Sequence, residues 1–342
     1  MNLRIGIIAP NWVGDAVMAL PFMNTCRTIY PDAKIIVLCK TWVRAIFESH
    51  PALDSVLAMD KRFQSGFRLT TQYGKDLRSM ELDRVYLLSN SFRSAYIAWL
   101  SGTDFRVGFP SQGRSPFLNK IVPRPKTVLH RSERYLELLR VTEKEKFRGA
   151  GAVQSPGIHL TDKESAWAKA ELEKIGFKQP LAVFPFSVAP ARNIPFRKIV
   201  EILNESQNPI LIFGNTGNQE SGKKLEQALP GERIRSVCGK YTLRQAIALI
   251  SVCQSAIATD SGLGHIAANL GIPTVSLFGA GNIQLTGPVG PQTTFVNKVV
   301  HCSPCRKNIC ENTSEPLICL HSITAREVWE SLSSILQSTE SG

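Results

Sequence analysis

Apolar residues in this chain fall into short unbroken runs, separated by longer stretches in which they recur every three or four positions. LRIGIIA (3–9) is such a run and reads as a buried strand. Residues 16–30 then carry Ala16, Leu20, Met23 and Cys26 at helical spacing and end in YPDA. KIIVLCK (34–40) predicts a second strand, and VRAIFESHP a second helix stopped by Pro51. SVLAM (55–59), RVYLLS (84–89) and FRVGF (105–109) predict further strands. Continuous apolar strands alternating with helices point to an α/β protein whose parallel sheet is covered on both faces.

The stretch RGAGAVQSPGIHL (148–160), rich in Gly, Ser and Pro, breaks this rhythm and reads as a linker. A charged helix follows, DKESAWAKAELEKIG (162–176), and the alternation resumes. Its strands are LAVFPF (181–186), PILIFG (209–214), IRSVCG (234–239), SAIATD (255–260) and TVSLFG (274–279). Two successive α/β domains are expected, 1–155 and 156–323, with ligands at the carboxyl ends of the strands. The length of 342 residues agrees with two domains, since a single core rarely grows that large.

Charge narrows the partners. Forty Lys and Arg against 28 Asp and Glu give a net charge of +12, which favours nucleic acid, phosphorylated substrates or an acidic membrane face. No apolar run approaches the ~18 residues of a membrane span, and the short N-terminal run, stopped by Asn11 and Asp15, does not resemble a signal peptide. A cytoplasmic protein is expected.

Three stretches carry candidate chemistry. In IGIIAPNWVGDAVMALPF (5–22), Asp15 follows the first strand at the ligand-binding edge of the sheet. An N-cap would account for the carboxylate but not for the neighbouring Trp12 and Gly14. In ATDSGLGHIAANLGIPTVSLFGAG (258–281), a strand ends in Asp260, and Ser261, Gly262 and Gly264 lead into a helix bearing His265. Such a helix start offers backbone amides to a phosphate, although Asp260 as a cap and His265 as a core imidazole are equally ordinary. No G-x-x-x-x-G-K-[ST] loop occurs. In FPFSVAPARNIPF (184–196), Arg192 is the lone cation of a Pro-rich loop and has the planar fork that suits phosphate.

Together these segments resemble the ADP-heptose:lipopolysaccharide heptosyltransferases, glycosyltransferase family 9, and among them the heptosyltransferase II branch. The resemblance runs through NWVGDAVMALPF (11–22), LLSNSFRSA (87–95), RVGF (106–109), RYLELL (134–139), APARNIPF (189–196), LIFGN (211–215) and TDSGLGHIAANLGIPTVSLFG (259–279). It implies the GT-B fold, two Rossmann-like domains whose parallel sheets face each other across a cleft, with a helix at 324–342 crossing back to the N-terminal domain. It implies an inverting, metal-independent transfer of heptose, without cofactor, from ADP-heptose to a lipopolysaccharide inner core of the Kdo-lipid A type. The enzyme would work peripherally on the cytoplasmic face of the inner membrane, held there electrostatically.

Carried onto this chain, the resemblance makes Asp15 the general base. It assigns Ser187, Arg192, Glu220, Asp260, Ser261, Gly262 and His265 to the donor, and Trp12, Arg93 and Arg106 to the acceptor. Three departures stand out: Arg192 replaces the family's usual Lys, Ile194 its frequent Trp, and FGAGN (278–282) its common FGPTDP. Another acceptor, the first inner-core step or a protein hydroxyl, is the nearest rival. A Rossmann oxidoreductase is disfavoured because no G-x-G-x-x-G follows the first strand, and scattered basic residues without a finger or helix-turn-helix disfavour nucleic acid.

Cys302, Cys305, Cys310 and Cys319 form C-x2-C-x4-C-x8-C beside His301 and His321. A structural metal, free thiols and adventitious pairing all stay open for this cluster. Cys26, Cys39, Cys238 and Cys253 lie in strand or helix patterns and read as core.

Overall fold

The computed structural model describes residues 3–59, 67–154, 157–229 and 231–340. The chain divides into two compact units, Met1–His159 and Leu160–Gly342. The 155/156 boundary expected from sequence lies outside the described residues.

In the first unit the order is β1 (Arg4–Ile8), α1 (Val13–Val17), α2 (Leu20–Ile29), β2 (Lys34–Lys40), α3 (Arg44–Phe47), β3 (Ser55–Met59) and α4 (Phe67–Arg78). There follow β4 (Arg84–Leu87), α5 (Phe92–Leu100), β5 (Arg106–Gly108), β6 (Lys120–Ile121), α6 (Arg131–Thr142) and α7 (Lys144–Ala150). The six strands form one sheet, β3-β2-β1-β4-β5-β6, with every pairing parallel. Ile5, Ile7, Ile35 and Val37 are fully buried, as strands covered on both faces must be.

The helix expected over 16–30 is two helices. Ala19 N–H donates to the Ala16 carbonyl in a tight turn, and Pro21, lacking an N–H, suits the first turn of the second helix. β6 went unforeseen because its two residues are exposed and carry no apolar alternation. α7 takes residues 148–150 of the expected linker.

The second unit opens with α8 (Asp162–Ile175), begun by a Thr161–Glu164 capping box and closed by Gly176 in the left-handed region (φ 82°). Then come β7 (Leu181–Phe184), α9 (Phe196–Asn204), β8 (Ile210–Ile212), α10 (Gln219–Ala228), β9 (Ile234–Ser236) and α11 (Leu243–Ile250). β10 (Ser255–Thr259), α12 (Gly262–Asn269), β11 (Thr274–Phe278), α13 (Ile283–Thr286), β12 (Thr293–Asn297), α14 (Ile318–His321) and α15 (Ala325–Glu340) complete it. This sheet too is wholly parallel, β12-β11-β10-β7-β8-β9. The half-buried edge strand β12 has no counterpart in the sequence reading.

The C-terminal helix covers the second sheet. α15 packs on β11, β12 and α9 of its own unit. Val328 and Leu332 enter that unit's core, and Trp329 Nε1–H donates to the Ile202 carbonyl at 2.8 Å. Its apolar stripe is used there, so it serves as a layer of the second sheet.

Candidate active site

In the first unit the carboxyl end of β1 runs through Pro10 and Asn11 into α1. Trp12 occupies the N-cap position without a side-chain cap and is 61% exposed. Asp15 is therefore the third helical residue, which rules out the N-cap role that the sequence left open. Its Oδ2 accepts from Arg131 Nη1 at 3.2 Å. Arg131 opens α6, whose start is fixed by His130: the imidazole Nδ1 accepts from the Ser132 amide at 3.3 Å. One turn on, Tyr135 is buried, and burial followed by the charge of Asp15 pushes its phenol up. Burial opposes the charge on Arg131, but Asp15 and Tyr135 outweigh it and raise its pKa.

A pocket in the same unit is lined by Asn11, Lys40, Ser89, Ser91, Arg93, Ser94 and Ile97 among others. Lys40 is pushed down by burial and then by Arg93, so two cations share this wall. Behind it Arg114 is fully buried. It donates to the Ser89 carbonyl, to the Phe109 carbonyl at 2.9 Å and to Asn90 Oδ1 at 3.1 Å, tying together the ends of β4 and β5. Burial, then Arg124 and Arg134, push Arg114 down to about 10.

Arg106 departs from its expected acceptor role. It begins β5, so it sits at the amino end of a parallel strand, away from the edge that bears Asp15. Its guanidinium donates to the Phe117 carbonyl at 2.7 Å and to the Thr103 carbonyl. Its fork is spent on holding a loop.

In the second unit the neighbouring strands β7 and β10 bring most of the expected donor residues together. Ser187 Oγ donates to the Asp260 carbonyl at 3.3 Å, and the Ser187 amide donates to Asn193 Oδ1 at 2.6 Å. Arg192 Nη1 lies 3.1 Å from Asp260 Oδ2, and the Arg192 carbonyl accepts from Thr259 Oγ1. Burial raises the Asp260 carboxyl and Arg192 opposes the rise. Ser261 leads into α12, which begins at Gly262; His265 lies buried one turn on. Among the described residues Ser261 Oγ and Arg192 Nε are buried without a hydrogen-bond partner, two polar atoms ready for a ligand. Glu220 is in the first turn of α10, beyond the carboxyl end of β8, exposed and paired with Lys224 at 2.7 Å.

The departure at FGAGN now has a reason. A Cβ on Gly281 would come within 2.0 Å of Asp260 Oδ2, so the backbone itself packs against the carboxylate. A Cβ on Gly279 would meet Cys319 Sγ at 2.6 Å, so Cys319 backs the same loop.

The four C-terminal cysteines lie near enough that, after burial, the charges of Cys302, Cys305 and Cys310 raise the Cys319 thiol. Among the described residues, no three His, Cys, Asp or Glu side chains form a group able to hold a metal ion. Cys319 is buried behind Gly279, Cys305 is exposed, and Cys310 Sγ accepts from the Leu317 amide at 3.4 Å. Cys26, Cys39, Cys238 and Cys253 are buried, as their patterns implied.

Arg131 and Lys40 escaped the sequence reading. The only signal for Arg131 was its position just ahead of RYLELL (134–139), at the start of an amphipathic segment.

Residues 70–315 match the family described as glycosyltransferase family 9 (heptosyltransferase). Lipopolysaccharide heptosyltransferase 2 of Escherichia coli (strain K12) is 28% identical over 359 residues, covering 99% of this chain and 100% of that protein. The solved E. coli ADP-heptose LPS heptosyltransferase II superposes with a TM-score of 0.79 at 25% identity, covering 99% of this chain and 100% of that one. A family 9 glycosyl transferase from Veillonella parvula shares the fold with a TM-score of 0.85 at 18% identity, over 99% and 98% of the two chains.

Proposed function

The chain belongs to glycosyltransferase family 9, the heptosyltransferases, and from that premise we propose that it moves heptose from ADP-heptose onto the inner core of lipopolysaccharide. The observation that carries the donor side is the meeting of Arg192, Asp260 and the start of α12 at the carboxyl edge of the second sheet. A guanidinium and free amides at one helix start suit a diphosphate, whose charge grows as the sugar leaves. Ser187, Ser261, Gly262 and His265 frame that diphosphate, and Glu220, exposed in the first turn of α10, accepts from a ribose hydroxyl.

Asp15 serves as the base. The acceptor oxygen attacks the anomeric carbon and its proton passes to Asp15. The bond from carbon to the diphosphate oxygen breaks on the opposite face, and ADP departs with the electron pair. One displacement inverts the centre, and the charge is handled by protein groups alone. Arg131 is a positioning residue that holds the carboxylate's orientation. Trp12, with its exposed ring, and Arg93, with Lys40, receive the sugar and the acidic groups of the acceptor. Among the described residues no helix is long and apolar enough to cross a membrane. A net charge of +12 supports peripheral association with the anionic cytoplasmic leaflet.

The test is to incubate the purified protein with ADP-heptose and a series of truncated lipopolysaccharides, and to weigh the products. One heptose added to an acceptor that already bears the first inner-core heptose is the expected result. Transfer only to the heptose-free core, or to a protein hydroxyl, would replace the acceptor assignment. Retention on DNA but not on immobilised ADP would overturn the reading as a whole.

A further inference from the structure

Helix α5 shows two different faces. Arg93, Ser94 and Ile97 line the acceptor pocket. Phe92, Tyr96 and Trp99, four and three residues apart, form an adjoining stripe. Phe92 and Tyr96 stack at 6.4 Å, Tyr96 and Trp99 at 5.8 Å, and Phe117 packs edge-on against all three. Phe92 and Trp99 are nevertheless 46% and 45% exposed. Ile121, 48% exposed on the edge strand β6, pairs with Gly108, whose Cβ position looks toward Leu118 and Arg114. Residues in register share a face, so Ile121 extends the stripe on the α5 side.

Exposed cations stand at one end of the stripe and in the chain that follows Ile121. Arg78, exposed, has its guanidinium 3.7 Å from the Cβ position of Gly102, just beyond Trp99. Arg124 and Lys126 are exposed in the chain leaving β6. Exposed aromatic rings mixed with Lys and Arg match a membrane interface, where rings enter the headgroup layer and cations meet lipid phosphate. A protein partner would suit the rings but gives no reason for these cations.

We infer that the Phe92–Tyr96–Trp99–Phe117–Ile121 surface docks the first unit on an anionic lipid bilayer. Resting on the reading of the acceptor as a lipid-borne sugar, this makes α5 the junction of membrane and site. Its apolar stripe enters the headgroups while its next face presents Arg93 to the sugar of the lipid anchored beside it. The acceptor then needs to rise from the bilayer only by the width of a helix.

The experiment compares the wild type with a Phe92→Ser/Trp99→Ser double variant, both side chains being exposed and outside the site. Flotation with phosphatidylglycerol–phosphatidylethanolamine vesicles should lose about tenfold in bound fraction when two interfacial rings are removed. Transfer to the same acceptor embedded in those vesicles should fall alongside it. Transfer to a deacylated, soluble acceptor should not change. Equal flotation of variant and wild type would overturn the inference. So would a wild-type dimer that the substitutions convert to monomer, since a second copy would then cover the stripe. Absence of transfer to the soluble acceptor by the wild type would instead sink the acceptor reading and leave flotation to judge the stripe.

Discussion

Asp15 and Arg131 lie 116 residues apart in sequence, yet the guanidinium Nη1 sits 3.2 Å from the carboxylate Oδ2. The pair joins the first turn of α1 to the start of the last long helix of the same unit. A carboxylate held this way has one orientation, which a base needs more than a cap does. Asp15→Asn should lower kcat by on the order of a hundredfold or more and leave donor affinity unchanged. Arg131→Gln should lower kcat less, with Arg131→Lys recovering part of the loss, because it acts through Asp15. Full turnover in Asp15→Asn would end the assignment.

Arg192 is the charged contact expected at the diphosphate. Arg192→Ala should weaken ADP binding by about 1.5–3 kcal/mol, the worth of a charged hydrogen bond. Arg192→Lys should regain much of it, since a point charge still reaches phosphate. Calorimetric titration with ADP checks both, and equal affinity in wild type and alanine variant would refute the role.

Gly281 offers a gentler probe. The methyl of Gly281→Ala would have to occupy space 2.0 Å from Asp260 Oδ2, so either the loop or the carboxylate must move. The Arg192–Asp260 contact should break, and ADP affinity should drop by about tenfold, or ~1.4 kcal/mol, with the fold retained. Unchanged affinity would mean that the 279–281 loop is not part of the donor site.

The second unit carries its own pH signature. The Arg244 fork, donating to Glu164 at 2.6 and 2.8 Å, holds that carboxyl down at about 2 from its ordinary 4.5, assisted by the Thr161 cap. A depressed carboxyl adds stability that is fully present above the unfolded value and disappears as pH falls through the folded one. Arg244→Met should thus lower Tm at neutral pH, and the gap from wild type should close between pH 4.5 and about 2. A gap independent of pH would show that lost packing, not charge, is responsible.

Treatment with a strong chelator should leave the initial rate of heptose transfer intact. Cys319 backs Gly279, behind the donor loop, and burial pushes its thiol up. Cys319 therefore bears on the loop's support. Elemental analysis should accompany the assay. Reversible loss of transfer on metal removal, with an unchanged circular dichroism spectrum, would overturn the metal-free mechanism.

The strands that carry the site were legible because burial on both faces writes them as unbroken apolar runs. β6 and β12 were not, since edge strands bury little and show no such run. Asp15 and Asp260 could be found because each follows a readable strand into a readable helix. Arg131 could not, because its partner is defined only by how α6 packs beside α2. Arg106 misled for the converse reason: a basic residue in a familiar motif looks the same at either end of a strand. The helix at 324–336 was seen, but periodicity gives a helix an apolar face without saying which sheet will cover it.

Arg114 gives the first unit a property that its surface cations lack. Its guanidinium is fully buried, and its bonds go to two carbonyls and an amide oxygen, none of them charged. Even pushed down to about 10, it stays protonated at neutral pH. Mobile ions cannot approach it, so its field is screened far less than that of exposed lysines and arginines. As ionic strength rises, the field of the surface cations fades while this one persists. The first unit thus carries positive charge of two kinds, one at the surface that salt hides and one built into the fold that outlasts it.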